Sequence, residues 1–275
     1  MPPRRPGGGA WALALPMLLL SPVVAWADVQ FEVSGRAQTT RAGIQVVASL
    51  RNIGNSAAHS LHVRGELGSS LADAVPGDVA PLAQVEATFD FPLPERAGRH
   101  AILLRLEFYP TPEAAEQKGS PAVQWGYLLI GLGADPPPAL GLEVPEAKIE
   151  TSGPLLVRLT SLDGFSHRAS VSCRVPYGLG TLGEPPEVEV PASGSVEVPL
   201  SLVRGGALRG SRSGILVLAR TTEAGMERAA VATGVVEILP DPALLPGLRV
   251  PLGVCGSALL GFSLWAEWRR RRTRA

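Results

Sequence analysis

The sequence predicts an all-β protein, two tandem β-sandwiches followed by a C-terminal transmembrane helix, and three observations carry that prediction. Within Gly43 to Gly65, Ile44, Val46, Ala48 and Leu50 alternate with Gln45, Val47, Ser49 and Arg51, the two-residue period of a strand with one buried face. Gly 31 and Pro 26 make up about a fifth of the 275 residues, a share suited to many short strands joined by turns. Val250 to Ala266 carries no charge and is followed by Arg269, Arg270, Arg271, Arg272 and Arg274. That is the pattern of a membrane span with its far end in the cytoplasm.

Charge and cysteine content narrow the function classes. The formal net charge is +0, yet residues 28–249 hold 18 basic against 24 acidic side chains, a net of −6. An acidic main body has no electrostatic footprint for nucleic acid. Cys173 falls in the body and Cys255 in the apolar run, so they are not expected to pair, and Cys173 reads as a buried inert thiol. Two Lys among 25 basic residues suggest a GC-rich bacterial genome.

Residues 1–27 read as a signal peptide. Arg4 and Arg5 precede the mostly apolar Ala10 to Val24, and Ala25-Trp26-Ala27 places small residues where a peptidase cuts. Residues 28–132 form sandwich one. Its first strand carries Val29, Phe31 and Val33. The 43–65 stretch follows as strand, Asn/Gly turn and second strand, with Leu61, Val63 and Leu67 inward. Gly65 falls on that inward side, where it marks a bend or bulge. In Gly98 to Tyr109, Ile102, Leu104, Leu106 and Phe108 share one face, and Pro121 to Gly131 closes the domain. Trp125, the only tryptophan of the mature body, is assigned to core packing.

Residues 133–138, GADPPP, make a stiff, Pro-rich linker. Residues 139–240 form sandwich two. Leu155, Val157 and Leu159 alternate before the turn Ser161-Leu162-Asp163-Gly164, and Ala169, Val171 and Cys173 share a face beyond it. Ser213 to Arg220 and Arg228 to Ile238 repeat the closing strands of sandwich one, joined by a turn near Gly225. Residues 241–249 are a juxtamembrane segment, 250–266 the transmembrane helix and 267–275 a basic cytoplasmic tail. Gly253, Ser257 and Gly261 recur every four residues along the span, a face that permits helix contact with a partner.

No catalytic, cofactor-binding or metal-binding residue is expected. His59 and His62 point to opposite faces if both lie on a strand, and no closed Cys/His set accompanies them. Asp163 sits before Gly164, where its side chain bonds to turn backbone. Glu184, Glu187 and Glu189 read as a solvated edge. Phosphate-cradling loops, zinc-protease motifs and nucleophile elbows are missing from the sequence.

VVASLRNIGNSAAHSLHVR resembles the early strands of bacterial immunoglobulin-like domains of the CARDB type, through Leu50, Asn52, Gly54, Ala57, Ala58, Leu61 and Val63. The resemblance implies seven-stranded, immunoglobulin-like sandwiches used as adhesive, spacer or carbohydrate-associated modules, and brings no catalytic residues. The functional expectation is a non-enzymatic, membrane-anchored envelope protein. It would serve as scaffold or accessory subunit of a membrane or envelope complex, single-pass in a bacterial inner membrane with its body outside the cytoplasm. The alternative is a surface or periplasmic carbohydrate- or peptide-binding module.

Overall fold

The computed structural model describes residues 28–133 and 136–240. The first half contains β1 (Phe31–Thr39), β2 (Ile44–Asn52), β3 (Ala58–Leu67), β4 (Ser70–Val79), β5 (Gln84–Phe91), β6 (Gly98–Tyr109), the helix α1 (Pro112–Glu116) and β7 (Ala122–Leu132). The second contains β8 (Leu140–Glu143), β9 (Ala147–Ile149), β10 (Ser152–Ser161), β11 (His167–Arg174), β12 (Leu179–Leu182), β13 (Glu187–Val190), β14 (Ser195–Arg204), β15 (Arg212–Glu223) and β16 (Met226–Ile238).

In the first half β1-β2-β5 make one sheet, and β3, β4, β6 and β7 belong to another. Ile44, Val46, Ala48 and Leu50 of β2 pack with Leu61 and Val63 of β3 and Ile102, Leu104 and Leu106 of β6. Burying a side chain of this size contributes roughly 1.5–3 kcal/mol, so this cluster is what holds the layers together. β2 and β3 therefore do not form a hairpin. β2 pairs with β1 and β5, whereas β3 pairs with β4 and β6. The Asn52 amide turns the chain from one layer to the other, donating to the Ser56 carbonyl at 2.8 Å and the Val79 carbonyl at 3.2 Å.

Gly65 also has a different role from the one expected. The β3 irregularity lies between Ala58 and Val63, where Ser60 has φ 53. At Gly65 an added Cβ would lie 2.9 Å from Phe91 Cζ and 3.2 Å from Phe89 Cδ1. The glycine makes room for two rings.

The second half packs β12-β14-β10-β8 against the sheet that contains β13, β11, β15, β16 and β9. Leu155, Val157 and Leu159 face Val171, Val217, Ala219 and Val236 in that core. The two halves are not independent sandwiches, which corrects the expected fold class. Parallel pairing of β16 with β6, Glu227 to Gly98 and Arg228 to Arg99, joins them into one mixed nine-stranded sheet. The physical reason is that β6 and β15 are apolar on both faces. Ala101 and Leu103 of β6 pack with Leu216 and Leu218 of β15 and Ala229 of β16 in a third cluster, flanked by Trp125 and Tyr127.

The membrane readings are corrected as well. Among the described residues no helix is long and apolar enough to cross a membrane. The helix α1 has five residues, at 1.5 Å per residue far short of a hydrocarbon core of ~30 Å. The transmembrane fold class, the single-pass inner-membrane localisation, the membrane-complex partner and the helix contact through Gly253, Ser257 and Gly261 find no described element that supplies the span they need. Residues 1–27 and 241–275, on which those readings rest, lie outside the described residues.

Candidate functional site

The chemistry of this chain gathers at the tip of the β15–β16 hairpin. The tip is a two-residue turn, Ala224-Gly225, with φ 47 and 76. Positive φ at both positions matches the right-handed twist of the flanking strands. From this tip Glu223, Glu227 and Arg228 reach in two directions.

Toward the second half lies His167, whose side chain has no exposed surface. Nε2 is 2.6 Å from Asp163 Oδ1, and Nδ1 meets Glu223 Oε1. A neutral imidazole carries one N–H, so it would leave one of these contacts between two acceptors. Donors on both sides require the imidazolium. Arg228 completes the cluster, its guanidinium 3.0 Å from Asp163 Oδ2 and 3.5 Å from Glu223 Oε2. Two cations thus balance two carboxylates. Burial alone would push the His167 pKa down, but hydrogen bonds and charge from Glu223 and Asp163 outweigh it and raise the pKa above 6.5. For Asp163, burial works upward; the Phe165 N–H and the His167 and Arg228 cations prevail and hold it below 3.8.

Asp163, His167 and Glu223 have their ligand atoms within 4.8 Å of one another, the spacing of a three-donor metal site. In this arrangement the two imidazole nitrogens face the two carboxylates, and Arg228 pairs with both carboxylates from the other side. The geometry builds a closed ion cluster.

Toward the first half, the tip meets the start of β6. Gly98 has φ 132, and a Cβ there would collide with the Glu227 carbonyl, so only glycine lets β16 approach this closely. The Glu227 N–H donates to the Ala97 carbonyl at 2.9 Å. His100, buried, places Nδ1 3.5 Å from Glu227 Oε1 and Nε2 2.9 Å from the Arg96 carbonyl. The His100 bond, opposed by burial, keeps Glu227 below the usual carboxylate range. Arg96 reaches Thr222 Oγ1 at 3.5 Å. Farther along the seam Arg174 Nε is 3.3 Å from Glu66 Oε2, and the Arg105 guanidinium stands 4.6 Å over the Tyr177 ring.

Asp163 does bond to turn backbone, accepting from Phe165 N–H at 3.1 Å; its pairing with His167 and Arg228 was not anticipated. His59 and His62 stay apart from the cluster, against Asp78 at 3.2 Å and Asp73 at 3.3 Å. Glu187 and Glu189 stand on β13, Glu187 paired with exposed Arg168. Cys173 is half-buried, and burial pushes its thiol up to about 12. Trp125 packs at the seam with its indole N–H buried and unpartnered. One sequence signal for the seam existed: AILL in β6 and ILVLA in β15 are apolar at every position, the mark of a strand buried on both faces.

No protein-family model matches the chain, and no curated protein matches it. Among solved structures it is similar to red sea bream transglutaminase, at 16% identity and TM-score 0.26, over 76% of this chain and 31% of that one. A Salmonella alpha-2-macroglobulin aligns at 8% identity and TM-score 0.30, over 77% of this chain and 16% of that one. A Porphyromonas gingivalis W83 protein of unknown function aligns at 12% identity and TM-score 0.27, over 77% and 97%. The chain thus spans under a third of the transglutaminase and about a sixth of the macroglobulin. Likenesses at these TM-scores carry neither fold nor function to this chain.

Proposed function

We propose that residues 28–240 work as a rigid, non-enzymatic interaction body, in which two β-stranded halves are locked at a fixed angle to present their surfaces together to a protein partner. The observation that carries this reading is the seam. Shared strand pairing, an apolar cluster of Ala101, Leu103, Leu216, Leu218 and Ala229, and ion pairs on both sides of it give the halves little freedom to move separately. The side-chain chemistry agrees. Each described histidine faces a carboxylate, and the one described thiol is held far from its reactive form at neutral pH. The resemblance of the 43–65 stretch to CARDB-type segments fits such a role.

The test compares the full chain with its Leu103→Asp variant, which puts a charge into the seam and leaves both inner cores untouched. Partners are isolated by affinity capture from the native cell, and small-angle scattering reports the angle between the halves. A partner bound stoichiometrically by the wild type, and lost when scattering shows the halves loosened, supports the reading. Equal capture by the loosened variant sinks it. So does substrate turnover by the wild type that disappears on changing His167.

A further inference from the structure

At the hairpin tip an ion cluster around the buried His167 stands beside the strand pairing that joins the halves. Glu223 and Arg228 hold the tip to Asp163, in the turn after β10, and to His167, at the start of β11. Between them, Glu227 pairs with Gly98 and faces His100, and Arg228 pairs with Arg99 on the backbone. Glu223, Glu227 and Arg228 are within five residues of one another, so freeing the first contact frees the anchor of the second. The cluster also has one member, His167, whose proton is held by its two carboxylate neighbours, so that its pKa lies above 6.5. The charged groups facing His167 are Asp163 from its own turn, Glu223 from β15 and Arg228 from β16. From β13 its neighbour in register is the apolar Val190.

We propose that His167 makes the β15–β16 tip a pH-gated latch on the seam: the imidazolium pins the tip to the 161–167 turn, and loss of its proton releases the tip and loosens the pairing of β16 with β6. On deprotonation, one ring nitrogen becomes an acceptor against a carboxylate oxygen. The cluster is then left with two half-buried anions and the single Arg228 cation. That imbalance is relieved by letting Glu223 swing to water, which carries the tip with it. The inference goes beyond the interaction-body reading and stands without it, because it concerns motion within this chain alone.

Hydrogen exchange of the full chain between pH 6 and 9, corrected for intrinsic rates, tests it. Protection of residues 222–228 and of 98–100 should fall together on the alkaline side of 6.5, roughly tenfold for each unit by which the folded pKa exceeds the unfolded one. Residues 46–50, in the other sheet of the first half, should hold steady. His167→Asn should give low, flat protection at the tip across the range. Should that variant fail to fold, Asp163→Asn and Glu223→Gln serve, each shifting the His167 ring titration seen by NMR to lower pH and the exchange step with it. Exchange at 98–100 that ignores pH, or a step that keeps its midpoint when the NMR midpoint moves, overturns the proposal.

Discussion

Asn52 in the first half and His167 in the second each tie a turn to neighbouring strands from a buried position, and they use opposite chemistry for it. Asn52 is fully buried and neutral. Its amide donates to the Ser56 and Val79 carbonyls, and its Oδ1 accepts from Gly54 N–H at 3.1 Å. His167 is equally buried and ionic, held by Asp163 and Glu223 with Arg228 behind them. A neutral node keeps its bonds at any pH the fold survives. An ionic one is strong only while every member carries its charge. The first half thus has a permanent fastening, and the second has one that solvent can address. The addressable one sits where the halves meet.

The largest test of that contrast is His167→Asn. Removing one partner from a buried ion cluster should cost about 3–5 kcal/mol at pH 6 by denaturant unfolding, and the loss should shrink toward alkaline pH, where the wild type weakens too. Asn52→Ala should cost about 2–4 kcal/mol, since two carbonyls lose their donor in the interior. That loss should be the same at pH 6 and pH 9, and a pH slope in it would erase the contrast.

Titrating the wild type sharpens it further. The raised pKa of His167 means its contribution is complete below 6.5 and is lost as pH rises through the folded value. The lowered pKa of Asp163 means its contribution is present above 3.8 and is lost as pH falls through its own folded value. Stability should therefore peak between those limits and decline on both sides, with the alkaline decline missing in His167→Asn. The smallest effect is reserved for Arg168→Ala. Its pair with Glu187 is exposed on both sides, so unfolding should change by no more than about 0.5 kcal/mol. A larger change would mean that exposed pairs matter as much as the buried node.

Much of the strand content could be read from the chain, because alternation of the kind seen in Ile44–Leu50 or Leu155–Leu159 has one physical solution, a half-buried strand. The pairing of those strands was less legible. Asn52-Ile53-Gly54-Asn55 looks like a hairpin turn, yet it crosses between layers, and nothing local distinguishes the two outcomes. Gly65 shows the same limit: its empty side matters only because Phe89 and Phe91 arrive from 24 and 26 residues along the chain, on a strand of the opposite layer. At the candidate site Asp163 was legible as a turn residue. The cluster was not, since Glu223 and Arg228 lie 56 and 65 residues from their partners.

By itself the sequence determined that this chain builds strands, where most of them turn, and that its body carries an acidic balance. Those properties follow from periodicity, backbone preference and side-chain charge, which act over a few residues. Only the tertiary structure decided that the halves share one sheet, that Gly98 meets β16 there, and that His167 lies between two carboxylates. Each of these depends on which distant surfaces meet, and burial of the second faces of β6 and β15 is what brings them together.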